Sequence, residues 1–209
     1  MLQSCVTINQ NICGGIHFMT RDEFFKAYWN GYKLIEQRFL ATSRYISVHK
    51  ENYATFSDEY LDIIILCCSE LDSVATQYCR YLPKDEAERV RSSNIIARMN
   101  AIKKLDLTGL TGYQLRTGPM FNKIKLYPFA QSDDNGSPDW WKDYNHLKHE
   151  RTEKDGSGRY YYMRANLKNA LYALAALYLM VYKLYDKVEN KEDVKAELPS
   201  ELFIPVVTE

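Results

Sequence analysis

From Ala170 to Tyr182 the chain runs about 13 residues without a charge, and nearly all of them are apolar. Such a stretch has no solvent-facing side, so it must be covered by other elements on almost every flank. It is short of the roughly 20 residues needed to span a bilayer, so it reads as a buried core helix. The spacing predicts one long helix over 160–188. Leu167, Leu171, Leu174, Leu177, Tyr178, Val181 and Tyr185 form a wide stripe, and Ala170, Ala173, Ala175 and Ala176 allow close approach of a neighbour.

The elements that could cover it are also legible. Thr20 and Glu23 form a capping box ahead of Phe24, Phe25, Tyr28, Tyr32, Ile35, Phe39 and Leu40, which predicts a helix over 21–46. Ser57-Asp58-Glu59 opens a second over 57–82, stopped by Pro83. A third is expected over 85–104. Residues 106–136 then change character: Gly109, Gly112, Gly118 and Pro119 punctuate an insertion, and Ile124 to Tyr127 alternates as a strand does. Ser137-Pro138-Asp139 reads as a cap and first turn for a short helix over 138–152. Beyond 188 a charged linker leads into an extended tail, in which Leu202, Phe203 and Ile204 are expected to dock on the helices. The fold class is therefore all-α: one domain of four to five helices (core 20–105 and 137–188), a small inserted loop or β-hairpin at 106–136, and a tail at 189–209.

Lys+Arg and Asp+Glu balance at 27 each, so global charge does not mark a nucleic-acid binder and any basic face must be local. Many of the 17 tyrosines are expected at the core boundary, where the ring is buried and the hydroxyl finds a partner. Cys5, Cys13, Cys67, Cys68 and Cys79 match no zinc spacing and read as buried free thiols of a reducing cytoplasm. Met1 to Cys5 does not open a secretory signal, and no membrane partner is expected.

Chemistry concentrates between Trp140 and Arg151, which hold two tryptophans, an asparagine and two of the four histidines. On a helix Asn145 and His149 share a face, as do Tyr144 and Lys148, and His146 neighbours His149. Three functional readings follow. One is acid–base work by His149, positioned by Asn145. A second is a metal at His146 and His149, for which no third ligand is evident; no cofactor is assigned. The third is phosphate or RNA binding by Lys142, Lys148, Arg151 and Arg159 with aromatic rings alongside. A purely architectural role stands beside them, with Trp140, Trp141 and Tyr144 as anchors, Asn145 and His149 bonded to backbone carbonyls, and Lys148 and Arg151 as a solvated face.

This segment, W-x-x-Y-N-x-x-K-H followed by a loop and an alanine/leucine-rich helix, resembles the HEPN superfamily of small all-α domains in bacterial toxins, abortive-infection proteins and other RNA-targeting defence systems. The resemblance implies a metal-independent ribonuclease fold in which His149 takes the place of the family's histidine and Asn145 that of the polar residue after its arginine. The arginine positions hold Tyr144, Asp143 or Lys142, none of which can grip phosphate as a bidentate guanidinium does. Glu70 and Asp72 are the candidates for the acid that family members often carry on the second helix. The departure favours a non-catalytic module that binds RNA, nucleotide or protein through His149, Asn145, Lys142, Tyr144, Lys148 and Arg151. The alternative is a ribonuclease using His149 and Asn145. Either reading implies a homodimer and a cognate antitoxin or other defence protein as partner.

Overall fold

The computed structural model describes residues 19–105, 112–130, 137–188 and 198–205. The chain enters α1 (Arg21–Phe24) through the expected capping box, with Thr20 and Glu23 satisfying each other's backbone amides. One π-helical turn (Phe25–Trp29) carries the same rod into α2 (Asn30–Thr42). The rod stops at Thr42 rather than 46, where the Thr42 and Ser43 hydroxyls bond back to Phe39 and Leu40 carbonyls. Ser57 caps α3 (Asp58–Cys79), its hydroxyl accepting from the Tyr60 amide.

The expected third helix is two: α4 (Lys84–Val90) and α5 (Ile95–Leu105). Ser93 bonds to the Val90 carbonyl and Asn94 accepts the Ala97 amide, so side chains end one helix and cap the next. Helix α6 (Asp139–His149) has Pro138 at its cap position, one residue past the Ser137 that its sequence suggests. The last helix, α7 (Leu167–Val188), begins later than expected: Tyr161–Arg164 form a separate 3-10 turn, and Asn166 accepts the Asn169 amide at the true start.

The molecule is mostly helical, with α7 packed along α3 and both flanked by α2 and α6. Of the apolar run, Ala170 to Val181 are buried except Tyr172. Many tyrosines do sit half-buried at the edge of the core, among them Tyr28, Tyr53, Tyr81 and Tyr172, whereas Tyr32, Tyr60, Tyr178 and Tyr185 are almost wholly buried. Tyr32 and Tyr178 join a core chain of rings from Trp29 to Phe203, the Tyr32 hydroxyl donating to Glu36 and the Tyr178 hydroxyl to the Leu198 carbonyl.

The insertion does pair as strands, β1 (Leu115–Thr117) antiparallel to β2 (Lys125–Leu126). A third strand, β3 (Phe203–Pro205), comes from the tail and pairs antiparallel with β1, placing Thr117 opposite Phe203. The tail thus docks on a sheet edge as well as on helices; Leu202 and Phe203 are buried while Ile204 is partly exposed. Its lock is Glu36 on α2, a wholly buried carboxylate. It accepts from the Tyr32 hydroxyl at 2.8 Å, the Leu202 amide at 3.2 Å and the Ser200 hydroxyl, and pairs with Lys33. Burial alone would lower the Lys33 ammonium, but the Glu36 and Glu201 carboxylates hold it above its ordinary value.

Cys67, Cys68 and Cys79 are free and buried; Cys5 and Cys13 lie outside the described residues. Burial pushes all three thiols up, Cys79 to about 11. Cys67 and Cys68 should therefore resist alkylation in the native protein and react fully in denaturant, read site by site by mass spectrometry. Native labelling at the rate of a free thiol would contradict this packing.

Candidate functional site

Helix α6 is anchored by its tryptophans. The Trp140 indole donates to the Pro128 carbonyl at 2.8 Å, which ties the helix start to the segment after β2. Trp141 packs edge-on against Trp140 and lies 5.0 Å from the Tyr144 ring, and Leu147 is wholly buried. Burial of 140, 141 and 147 turns the remaining positions outward on two flanks.

Asn145 and His149 share the solvent face, as their spacing requires, and both are exposed. Among the described residues neither side chain has a hydrogen-bond, ion-pair or ring partner. Lys142 lies 4.0 Å from Asp139 one turn back. Tyr144 and Lys148 occupy the flank toward α3, with the Lys148 ammonium 6.0 Å above the Tyr144 ring. Burial raises the Tyr144 phenol, and the nearby Cys68 and Asp72 raise it further. Asp72 itself is committed to Arg98 at 2.5 Å, so of the two acids considered on α3 it is a salt-bridge partner. Arg151 curls back and donates from Nε to the Leu147 carbonyl at 2.5 Å, capping the end of α6. The six residues singled out from the sequence are thus spread along α6 and just past its end rather than gathered in a cleft.

The opposite flank holds a polar arrangement that the sequence reading passed over. His146 donates from Nδ1 to Glu150 at 2.5 Å, and its ring stacks on Tyr161 with centroids 4.0 Å apart and planes 4° apart. Asp143 accepts from the Asn169 amide group at 2.9 Å and faces Arg164 at 3.6 Å. Arg164 in turn reaches Asp155 at 2.5 Å. The i, i+4 spacing of His146 and Glu150 and the run Tyr160-Tyr161-Tyr162 were the available signals. Assigning 160 onward to the long helix hid them. His146 and His149 therefore serve different faces, and among the described residues no group of three or more His, Cys, Asp or Glu is placed to hold a metal.

Asp155 organises the loop between α6 and α7. Its carboxylate accepts from the Ser157 hydroxyl, the Arg159 and Ser157 amides and the Arg164 guanidinium. Gly158 supplies the left-handed turn, φ 81°. These bonds, led by the Ser157 hydroxyl and Arg159 amide, hold the carboxyl well below the ordinary carboxylate range. The lowered folded value sets the sign: its stabilisation is fully present above about pH 4 and fades only as pH falls through that lower value. The amides of Tyr161 and Tyr162, which donate to the Glu153 and Arg151 carbonyls, should stay protected from hydrogen exchange at about pH 4 and lose protection in Asp155→Ala. Equal protection in the variant would show that the loop is held by something else.

The fold and this surface define a mostly helical domain with a small antiparallel sheet and a polar, aromatic face at the end of α6. No protein-family model, curated protein or solved structure matches the chain. No described helix is long and apolar enough to cross a membrane.

Proposed function

We propose that this chain is a HEPN-like module of bacterial defence or toxin–antitoxin type that holds RNA at the end of α6 without cutting it. The observation that carries the reading is the setting of His149 and Asn145. They are exposed side by side, with no orienting partner among the described residues. A general base must be held within reach of its proton and oriented by a third group. A binding surface needs only accessible donors and cations; Lys148 and Arg151 lie beside this pair at the end of α6, and Lys142 lies about two turns back along the same helix. The module then works in the cytoplasm as a homodimer, with a cognate antitoxin or other defence protein as its protein partner.

Fluorescence anisotropy with labelled single-stranded RNA tests this. Three phosphate contacts give a slope of about −2 in log affinity against log salt, and the Lys148→Ala/Arg151→Ala pair should flatten it by more than half. A folded protein that binds no RNA at low salt would sink the reading.

One observation favours a metal-independent ribonuclease, but one centred on His146 and not on the His149 and Asn145 pair that the resemblance implies. His146 has a carboxylate on Nδ1 and a ring stacked beneath it, an arrangement that fixes a tautomer and orientation for proton transfer. In that case cleavage in EDTA is lost in His146→Ala and kept in His149→Ala.

A further inference from the structure

Beside the α6 site, Phe56, Tyr160 and Tyr162 are 42%, 38% and 43% exposed and contact one another. Tyr160 and Tyr162 lie nearly parallel, centroids 5.4 Å apart and planes 20° apart. Phe56 meets Tyr162 edge-on at 5.8 Å. Resting on the RNA-binding reading above, we propose that these three rings form a stacking platform for unpaired nucleobases.

The platform is built rigidly. Phe56 pairs with Asn166, and Lys154 with Tyr160, through isolated antiparallel bridges. Tyr161, between the two exposed tyrosines, points the other way and is pinned by His146. The Tyr162 amide is tied to the Arg151 carbonyl, which joins the platform to the end of α6. Rings held in place before binding lose little entropy when a ligand arrives.

Charge decides among flat or apolar ligands. The Lys154 ammonium lies 4.6 Å from the Tyr160 ring centroid, and Arg159 and Arg151 are exposed in the same loop. Of the loop's acids, Asp155 is ion-paired with Arg164 at 2.5 Å, leaving Glu150 and Glu153 to oppose the three cations, a small positive excess. A ligand with a flat face and an anionic chain satisfies both halves of this surface. A nucleotide strand has both, whereas a proline-rich peptide offers only the apolar half. A duplex keeps its bases stacked on each other and gains nothing from the rings.

The test is binding of a short single-stranded RNA carrying 2-aminopurine, with a duplex of equal length and a proline-rich peptide as competitors. Wild type should quench the 2-aminopurine and prefer the single strand. Tyr160→Ala and Tyr162→Ala should each weaken single-strand binding about ten- to hundredfold and abolish the quench. Tyr160→Phe and Tyr162→Phe keep the ring and should keep both; helical circular dichroism shows which variants are folded. Wild type that binds the strand while folded alanine variants bind equally well overturns the platform and leaves the RNA reading standing. Wild type that binds neither RNA overturns both. Displacement by the peptide at lower concentration than by RNA reassigns the rings and also overturns the proposal.

Discussion

Glu36→Ala is expected to destabilise the protein by about 3–5 kcal/mol, the cost of leaving a buried charge network without one partner. The carboxylate joins α2 to the tail: Tyr32 and Lys33 lie on its own helix, Ser200 and Leu202 across the gap. Removing it leaves the Leu202 amide and the Tyr32 hydroxyl with only the Ser200 hydroxyl between them, leaves Lys33 without its buried counter-charge, and loosens the strand that pairs with β1. For a chain of this size that corresponds to a fall in Tm of about 6–20 °C. Two readouts separate global from local loss. Chemical denaturation gives the first, and protease cleavage within 198–205 gives the second. Glu36→Gln keeps an acceptor for the Leu202 amide and should lose less than alanine. An alanine variant as stable as wild type, with an uncut tail, would mean that the tail is held by Leu202 and Phe203 packing alone.

Trp140→Ala should cost a similar amount, about 3–5 kcal/mol for deleting a buried indole. It differs in carrying a functional consequence. Trp140 fixes the start of α6 to Pro128, so its loss frees the helix that presents Asn145, His149, Lys148 and Arg151. RNA affinity should fall even at temperatures where the variant remains folded. Trp140→Phe separates the two contributions: most of the packing survives, and the unsatisfied Pro128 carbonyl costs about 1–3 kcal/mol. Wild-type affinity in a folded Trp140→Ala protein would show that α6 does not need this anchor to present its surface.

Both residues illustrate how far the sequence could be read. Trp140 stood out locally, as one of the aromatic anchors, with Trp141 and Tyr144, that an architectural role for the helix implies. The capping box at Thr20, the start at Ser57 and the apolar stripe of α7 were likewise visible, because each is set by residues within a turn or two. Glu36 was not visible. A glutamate between Ile35 and Gln37 on a helix looks like a solvated position until a tail more than 160 residues away closes over it. The third strand was missed for the same reason, since its partner lies far along the chain. The break between α4 and α5 was local, but Ser93 and Asn94 are tolerated inside helices often enough that only their observed bonds decide.

At the site, spacing predicted correctly that Asn145 and His149 share a face, and the architectural role proposed for Trp140, Trp141 and Tyr144 matches their packing. The bonds to backbone carbonyls expected for Asn145 and His149 under that role are absent among the described residues. Which histidine acquires a carboxylate depended on the turn after α6. Glu150 is four residues from His146 but next to His149, and only the helix geometry with the Tyr161 ring beneath selects His146. The exposed rings of Tyr160 and Tyr162 are set by an extended Tyr160 and a 3-10 turn over Tyr161–Arg164, both outside α7, which helical spacing alone does not show.

The central claim, that the end of α6 binds RNA and does not cut it, is tested most directly by one incubation. End-labelled single-stranded RNA is held with a stoichiometric excess of pure protein in EDTA, and bound and free fractions are resolved on a native gel, then on a denaturing one. The account predicts a retarded complex from which full-length RNA is recovered. Fragments that accumulate with time, and that disappear in His149→Ala or His146→Ala, would contradict it.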